Sequence, residues 1–272
     1  MSILNYKEAV TYLEETPRFT TKHSLEYIKE CLHRLGNPQE AFRVIHVAGT
    51  NGKGSVCAYL ASVFRAGGYR CGLFTSPHLI RMNERFQIDG EPADDELFLQ
   101  AFERVKEMID QLVAEGNHHP NFFETIFLMG MWMFQRAGVP YVILETGLGG
   151  KIDATNTIER PLACVITSIS LDHVQVLGDT VEIIAAEKAG IIKPGVPIIY
   201  DANRQKTAQV IEEQARSTGA PACPVRKEQF TIQKITSQGI DFILNENENE
   251  ADVSTIPFIA RYQVMNAALA LR

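Results

Sequence analysis

Hydrophobic and polar positions along this chain follow two patterns that alternate with each other. Apolar residues spaced three and four apart predict amphipathic helices, whereas short β-rich runs, some of them continuously apolar, predict strands of a buried sheet. The predicted helices cover residues 6–15, 24–35, 53–66, 94–114, 123–136, 180–189, 205–217 and 262–272. The predicted strands cover residues 43–48, 70–75, 139–144, 162–168 and 196–200. Strands therefore alternate with helices over most of the chain.

This alternation predicts an α/β fold, in which a mainly parallel sheet carries helices on both faces. Residues 222–244 contain several short β segments and predict a small β subregion beside the main sheet. The acidic run at residues 245–252 predicts a solvated loop. In sheets of this kind a ligand binds beyond the carboxyl ends of the strands, so the chemistry is expected in the loops that follow them.

Composition narrows the class of protein. The 272 residues are 45% hydrophobic and 22% charged, with a formal net charge of -7, so the chain can bury a core without disulfides or a structural metal. A pI near 5.6 and the lack of a basic run argue against nucleic acid as a partner. Five cysteines without a CxxC pair predict a reducing cytoplasm. No secretion signal or membrane-spanning run is recognised, so no membrane partner is expected.

The segment RVIHVAGTNGKGS, residues 43–55, is a predicted strand, a glycine-rich turn and the start of a predicted helix. Backbone N–H groups of residues 50–53 are expected to converge on phosphate oxygens there, with Lys53 as a mobile cation. The strict phosphate-loop pattern is not met, because Val47 occupies its first glycine position and Gly54 follows the lysine, which delays the hydroxyl to Ser55. A glycine-rich turn without a ligand is the alternative.

Three further polar residues follow predicted strands. Glu145 ends the buried run at residues 139–144 and suits Mg²⁺, which prefers hard oxygen ligands. Ser76 and His173 also lie just beyond predicted strands. Their alternatives are a loop-capping carboxylate for Glu145, a turn residue for Ser76 and a structural hydrogen-bonding residue for His173. Lys188 is near the end of a predicted helix, and the residues alone predict a solvated lysine there.

Six motifs together resemble a known family. They are HVAGTNGKGS (46–55), TSPHL (75–79), LETGLGGKIDATN (144–156), ITSISLDHVQVLGDT (166–180), AAEKAGIIKPGVP (185–197) and YQVMNAALAL (262–271). In this order they resemble the Mur ligase superfamily and, within it, folylpolyglutamate synthase and dihydrofolate synthase. The resemblance implies a P-loop NTPase-like central domain. It also implies a ligase that uses ATP and Mg²⁺ to join L-glutamate to a folate or dihydropteroate carboxylate through an acyl phosphate.

The resemblance also assigns roles to residues. It implies an ATP site at Gly49, Thr50, Asn51, Gly52, Lys53, Gly54, Ser55 and Asn266, and two Mg²⁺ ions with Ser76, Glu145 and His173 as ligands. Lys188 matches a lysine that the family carbamylates, which gives it a role beside Lys53 and His173 in catalysis. The pterin and p-aminobenzoate part of the substrate is expected at Asn121, Phe122, Phe123, Glu124, Ile152, Asp153 and Ala154. Of the two phenylalanines, one is expected in the core and one against the ligand.

The resemblance finally implies a domain organisation. Residues 1–272 match the ATP-binding domain, and the C-terminal domain that accepts glutamate is absent from the chain. We therefore expect a monomer that ligates glutamate very slowly or not at all by itself. Three alternatives remain open at this stage: a peptidoglycan-type Mur ligase, a non-catalytic nucleotide-binding module and, least favoured, a plain P-loop kinase.

Overall fold

A computed structural model describes residues 5–17, 23–245 and 253–272. Within them, eight strands form one sheet in the order β4-β3-β2-β5-β1-β6-β7-β8. Six of these strands are parallel, and β3 and β4 add an antiparallel edge. The strands are β1 (Arg43–Ala48), β2 (Cys71–Phe74), β3 (Phe86–Ile88), β4 (Glu91–Pro92), β5 (Tyr141–Glu145), β6 (Ala163–Ile166), β7 (Ile198–Asp201) and β8 (Ala222–Val225).

Helices connect most of the parallel strands. Within the described ranges they are α1 (Tyr6–Glu15), α2 (Leu25–Arg34), α3 (Lys53–Ala66), α4 (Asp95–Ala114), α5 (Phe122–Ala137), α6 (Val174–Leu177), α7 (Val181–Ala189), α8 (Gln205–Thr218) and α9 (Tyr262–Ala270). Short 3₁₀ helices lie at Pro38–Ala41, Met82–Arg85, Ala154–Thr157 and Lys227–Gln229. None of the described helices is long and apolar enough to cross a membrane.

Both faces of the main sheet are covered, because side chains alternate between the faces along each strand. One face, with Val47, Ile143 and Val165, packs against α3 and α9. The opposite face packs against α1, α2, α4 and α5 on one half and against α7 and α8 on the other. The predicted α/β fold with helices on both faces is therefore confirmed.

A second, three-stranded sheet consists of β9 (Phe230–Thr236), β10 (Gly239–Leu244) and β11 (Val253–Ile256). It is antiparallel, and its buried residues Ile240, Phe242 and Ile256 pack against Val264 and Ala267 of α9. Of the β segments predicted at residues 222–244, β9 and β10 belong to this small sheet, whereas β8 joins the edge of the main sheet instead. The position of the small sheet beside α9 connects it to the last helix of the described chain.

Most predicted elements are present, with shifted ends. The prediction coincides with the structure for α1, β1 and α3. The strand predicted from residue 139 begins at Tyr141, since Pro140 has no N–H to donate to a neighbouring strand. The short β3, β4, α6 and β11 were not predicted. Of the acidic run predicted as a loop, residues 246–252 lie outside the described residues.

Candidate active site at the strand ends

The predicted site residues converge where the central strand β1 ends. Strands β5 and β6 pair with β1 on opposite sides, so the sheet order reverses at this point. The loops after β1, β5 and β6 leave from the same edge because these strands are parallel. A crevice at such a reversal is the usual ligand site of an open α/β sheet.

The loop between β1 and α3, residues 49–52, is the predicted phosphate-binding segment, called the phosphate loop below, and it is held in place by the segment after β6. The amides of Thr50 and Asn51 both donate to the Ser168 carbonyl, at 2.9 and 3.3 Å. These two amides are therefore already engaged, contrary to the expectation that they point at a phosphate. The first-turn N–H groups of α3, which begins at Lys53, have no acceptor within the helix and remain suited to an anion.

Lys53 and Glu145 form an ion pair beneath this helix terminus, with 3.9 Å between Nζ and Oε1. Glu145 is 3% exposed, and its Oε2 accepts the amide of Ser76 at 3.1 Å. Burial raises the pKa of the Glu145 carboxyl to about 7, although the Lys53 charge opposes this rise. A methyl group on Gly54 would lie 3.8 Å from Oε2. The Glu145 carboxylate and the hydroxyl of the neighbouring Ser76 are hard oxygen donors. Donors of this kind fit a magnesium ion.

Among the described residues, no hydrogen bond or ion pair joins His173 to Lys53 or Glu145. His173 precedes α6 in a left-handed backbone conformation, its side chain is 56% exposed, and its Nε2 is 3.7 Å from Asp172. Across the described segments, no group of three or more His, Cys, Asp or Glu side chains is placed to hold a metal ion. Contacts among the described residues thus link Lys53, Glu145 and Ser76 and do not include His173.

Lys188 is buried and contacts the phosphate loop. It lies in the last turn of α7 and is 3% exposed, and its Nζ donates to the Gly49 carbonyl at 2.7 Å. The interpretation of Lys188 as a solvated lysine, which the residues alone favoured, is therefore wrong. The position beside the loop agrees with the role that the family resemblance implies.

The start of α5 carries the first group of predicted substrate residues. Asn121 caps the helix: its Oδ1 accepts the Glu124 amide at 3.0 Å, and Glu124 Oε2 accepts the Asn121 amide at 2.8 Å. Glu124 Oε2 is also 2.7 Å from Nδ1 of His23. Both predicted ligand contacts are therefore engaged in a capping box, which satisfies helix-terminal amides.

The two phenylalanines of α5 differ in environment, and one of them lies in the core, as predicted. Phe122 is buried in the core, and the Arg85 guanidinium lies 5.4 Å from its ring centroid. Phe123 is only half-buried and packs on Gly147, where an added methyl group would be 2.6 Å from the ring. Phe123 is therefore the aromatic residue that remains available beside the glycine-rich loop after β5.

The second group of predicted substrate residues follows that loop. Ile152 is 52% exposed, whereas Asp153 and Ala154 are buried. Asp153 Oδ2 accepts the amides of Gly147 and Leu148, at 3.1 and 3.0 Å. Asp153 thus fixes the loop from within, and Ile152 is the exposed member of this group.

Asn266 of α9 forms a wall of the phosphate loop. A methyl group on Gly52 would lie 2.5 Å from Asn266 Oδ1, so the two residues are in close contact, and the positive φ of Gly52 also favours glycine. The Asn266 amide donates to Gln263, whose own amide donates to Ser55 Oγ at 3.2 Å. Residues of the last described helix therefore contact the start of α3.

Comparison with known proteins agrees with this geometry. Residues 47–272 match the Mur ligase middle domain. The chain belongs to the Mur ligase family. It is 35% identical to folylpolyglutamate synthase of Lacticaseibacillus casei over 99% of the chain and 63% of that protein. It is 37% identical to dihydrofolate synthase/folylpolyglutamate synthase of Bacillus subtilis (strain 168) over 98% of the chain and 62% of that protein.

A solved FPGS-AMPPCP-folate complex has the same fold. It superposes with a TM-score of 0.90 at 34% identity, over 98% of this chain and 66% of that one. The Mur ligase chain described here therefore spans about 63% of the length of the curated relatives it matches. The family resemblance inferred from the six sequence motifs is confirmed.

Sequence reasoning missed several residues of this Mur ligase site. Ser168 and Gln263 hold the phosphate loop, Arg85 covers Phe122, and His46 lies beneath the glycine-rich loop. Ser168 ends a predicted strand, which is a signal that could have singled it out. The other three act through contacts between distant segments, which the spacing of residues along the chain does not reveal.

Proposed function

We propose that this Mur ligase chain is the ATP-binding part of an enzyme that joins L-glutamate to the carboxylate of folate or dihydropteroate through an acyl phosphate. The ion pair between half-buried Lys53, at the start of α3, and buried Glu145 is the observation that carries the proposal. The similarity to folylpolyglutamate synthases, including a complex of one with AMPPCP and folate, supports the choice of substrates. Residues 1–272 would form the ATP-binding domain.

The reaction requires a leaving group, because a carboxylate is a poor electrophile at neutral pH. Transfer of the γ-phosphoryl group of ATP to the substrate carboxylate gives the acyl phosphate and ADP. The α-amine of glutamate then attacks the acyl carbon, loses a proton and expels phosphate. Lys53 and the N-terminus of α3 would offset the negative charge that develops during phosphoryl transfer.

Glu145 and the Ser76 hydroxyl would hold a magnesium ion, which supplies further charge neutralisation on the phosphates when it is bound. A second magnesium ion is proposed, and His173 would be the remaining protein ligand of the two-ion site. Lys188 beside Gly49 would be carbamylated, which converts an ammonium group into a carboxylate-like ligand. Gly49 to Ser55 and Asn266 would surround the nucleotide.

The folate side of the site would lie between α5 and the glycine-rich loop. Phe123 and Ile152 are the predicted substrate residues with exposed surface there, and both suit an aromatic ring of the pterin or p-aminobenzoate group. Asn121, Phe122, Glu124, Asp153 and Ala154 would shape this wall from behind. We further propose that the protein acts as a monomer in the cytoplasm, where its five free cysteine thiols would persist.

Calorimetric titration tests the proposal. AMPPCP with Mg²⁺ is expected to bind saturably, and dihydropteroate is expected to bind in a second titration. Lys53→Ala should weaken nucleotide binding at least about tenfold, because a charge-assisted contact to phosphate is lost. Lys206→Ala is the matched control, since the Lys206 side chain is 73% exposed on α8.

Equal nucleotide affinities for the Lys53→Ala and Lys206→Ala variants would refute the assignment of the phosphate site. Nucleotide binding without any dihydropteroate or folate binding would instead favour a different Mur ligase substrate. We expect residues 1–272 alone to ligate glutamate very slowly or not at all, which an assay of ADP release in the presence of all three substrates would check.

A further inference from the structure

A buried chain of three polar side chains runs from the central strand to the glycine-rich loop. His46 of β1 is fully buried, and its Nε2 is 2.9 Å from Oγ1 of Thr155. The Thr155 hydroxyl lies 2.5 Å from Oδ1 of Asp153. His46 lies three residues before Gly49, so this chain begins directly below the phosphate loop.

The hydrogen-bond directions in this chain follow from the number of available protons. A carboxylate only accepts, so the single hydroxyl proton of Thr155 is donated to Asp153. Thr155 Oγ1 must then accept from His46, which requires the proton of the imidazole to be on Nε2. Nδ1 carries no proton in that tautomer, and it is buried with no hydrogen-bond partner within the described residues. Burial lowers the pKa of His46 to about 3, so the ring is neutral.

Asp153 connects this chain to the site. Its Oδ1 accepts both the amide and the hydroxyl of Thr155, and its Oδ2 accepts the amides of Gly147 and Leu148. The ring of Phe123 packs against Gly147, on the side where another residue would have its Cβ atom. The orientation of the Asp153 carboxylate therefore sets the position of the surface on which Phe123 packs.

The same loop reaches the other side of the site. An added methyl group on Gly150 would lie 2.8 Å from the Glu187 carbonyl oxygen, and the Lys151 amide donates to that oxygen at 2.9 Å. The loop from Gly147 to Lys151 thus joins Phe123 to the end of α7, where Lys188 is found. The Asp153 carboxylate therefore fixes a loop that contacts both Phe123 and the end of α7.

We propose that His46 is a positioning residue: as the Nε2–H tautomer it orients Thr155 and Asp153, and thereby the glycine-rich loop that forms the folate side of the site. This inference rests on the proposed function for the identity of the substrate. The phosphate loop itself is held by Ser168 and Lys188, so His46 acts on the folate side and not on the nucleotide side.

Paired substitutions separate this role from a general effect on stability. His46→Gln retains an N–H near the position of Nε2, whereas His46→Leu removes it. Thr155→Ser retains the hydroxyl, whereas Thr155→Val removes it. We expect the Leu and Val variants to bind dihydropteroate about tenfold more weakly than the Gln and Ser variants, since each leaves a buried group unsatisfied. The affinity for AMPPCP with Mg²⁺ should stay within about threefold in all four variants, because no contact that holds the phosphate loop is removed.

Two measurements on the ligand-free protein decide the inference without the substrate. Nitrogen-15 NMR of the imidazole should show the neutral Nε2–H tautomer, and amide hydrogen exchange at Gly147 and Leu148 should be faster in Thr155→Val than in Thr155→Ser. An Nδ1–H tautomer, or equal exchange in the two threonine variants, would overturn the positioning role. If the wild-type protein binds no dihydropteroate or folate, the substrate assignment fails, while the tautomer and the exchange rates still test His46.

Discussion

Two buried carboxylates of the site, Glu145 and Asp153, have different hydrogen-bond environments. Asp153 accepts four hydrogen bonds from protein groups, which is about the full capacity of a carboxylate. Glu145 accepts one amide and faces Lys53 at 3.9 Å. Glu145 therefore retains lone pairs for a ligand, whereas Asp153 serves the architecture. A carboxylate that keeps unused acceptor capacity and has a raised pKa is the stronger candidate for chemistry.

Glu84 organises the loop that carries Ser76. Its carboxylate accepts three successive amides, from Leu79, Ile80 and Arg81, at 2.7, 3.0 and 2.6 Å. These hydrogen bonds lower the pKa of Glu84, so its stabilising effect is present above the ordinary pKa and is lost as the pH falls through the lowered value. Leu79 and Ile80 are 91% and 88% exposed, so little burial holds them in place.

We therefore predict that Glu84→Gln speeds amide hydrogen exchange at residues 79–81 by about tenfold, because an amide side chain offers one acceptor oxygen where the carboxylate offers two. Glu96→Gln is the control, since Glu96 contacts only the side chain of Gln100 among the described hydrogen bonds. Unchanged exchange in Glu84→Gln would show that the loop is held by other contacts.

At the scale of single residues, sequence reasoning succeeded where a side chain follows a strand. Lys53, Ser76 and Glu145 meet because parallel strands end at one edge of the sheet. It failed for the amides of Thr50 and Asn51, since their acceptor Ser168 lies far along the chain. The role of Asn121 was readable as a capping signature, with Glu124 three residues later.

At the scale of elements, the turn from β1 into α3 tolerates no side chain at its first position. A methyl group on Gly49 would lie 1.8 Å from Thr167 Oγ1, on the adjacent strand end. Gly36, which follows α2, also has a positive φ but no atom within 4 Å of an added methyl group. Alanine substitutions at the two glycines therefore distinguish the energetic cost of a steric clash from the cost of backbone strain.

We predict that Gly49→Ala lowers the free energy of unfolding by about 3 kcal/mol or more, from overpacking in addition to strain. Gly36→Ala should lower it by about 1–2 kcal/mol, from strain alone. Urea denaturation of both variants measures the difference. A loss at Gly49 no larger than that at Gly36 would contradict the close packing of the phosphate loop on Thr167.

The long elements were predictable, and the short ones were not. The predicted bounds of β1 and α3 were correct because a buried strand, a glycine-rich turn and an apolar helix each give a distinct local pattern. Strands β3 and β4 have three and two residues, which is too short for alternation to be recognised. β3 forms through pairing with β2, and β4 through pairing with β3, so both depend on contacts between segments rather than on a local preference.

At the scale of the whole molecule, the small sheet supports the nucleotide side of the site through α9. Phe242 is fully buried against Val264 and Ala267, and Asn266 on the same helix contacts Gly52. Phe98 of α4 is equally buried but lies in the core beneath the opposite face of the main sheet. Two core residues of the same type therefore have different connections to the phosphate loop.

We predict that Phe242→Ala and Phe98→Ala each cost about 3–5 kcal/mol of stability. Only Phe242→Ala should also weaken binding of AMPPCP with Mg²⁺, by about three- to tenfold, since a displaced Asn266 removes one wall of the loop. Titration at a temperature where both variants remain folded checks this. Equal nucleotide affinities in the two variants would show that the small sheet does not support the nucleotide side of the site.

The contact of α9 with the start of α3 also sets an order of events during synthesis. The hydrogen bond from Gln263 to Ser55 joins residues 208 positions apart, so loop-closure entropy opposes it until most of the intervening chain has folded. A ribosome releases Ser55 long before Gln263. The nascent β1–α3 unit therefore lacks one wall of its phosphate loop until α9 has been made and has docked, and full nucleotide affinity would develop only after that step.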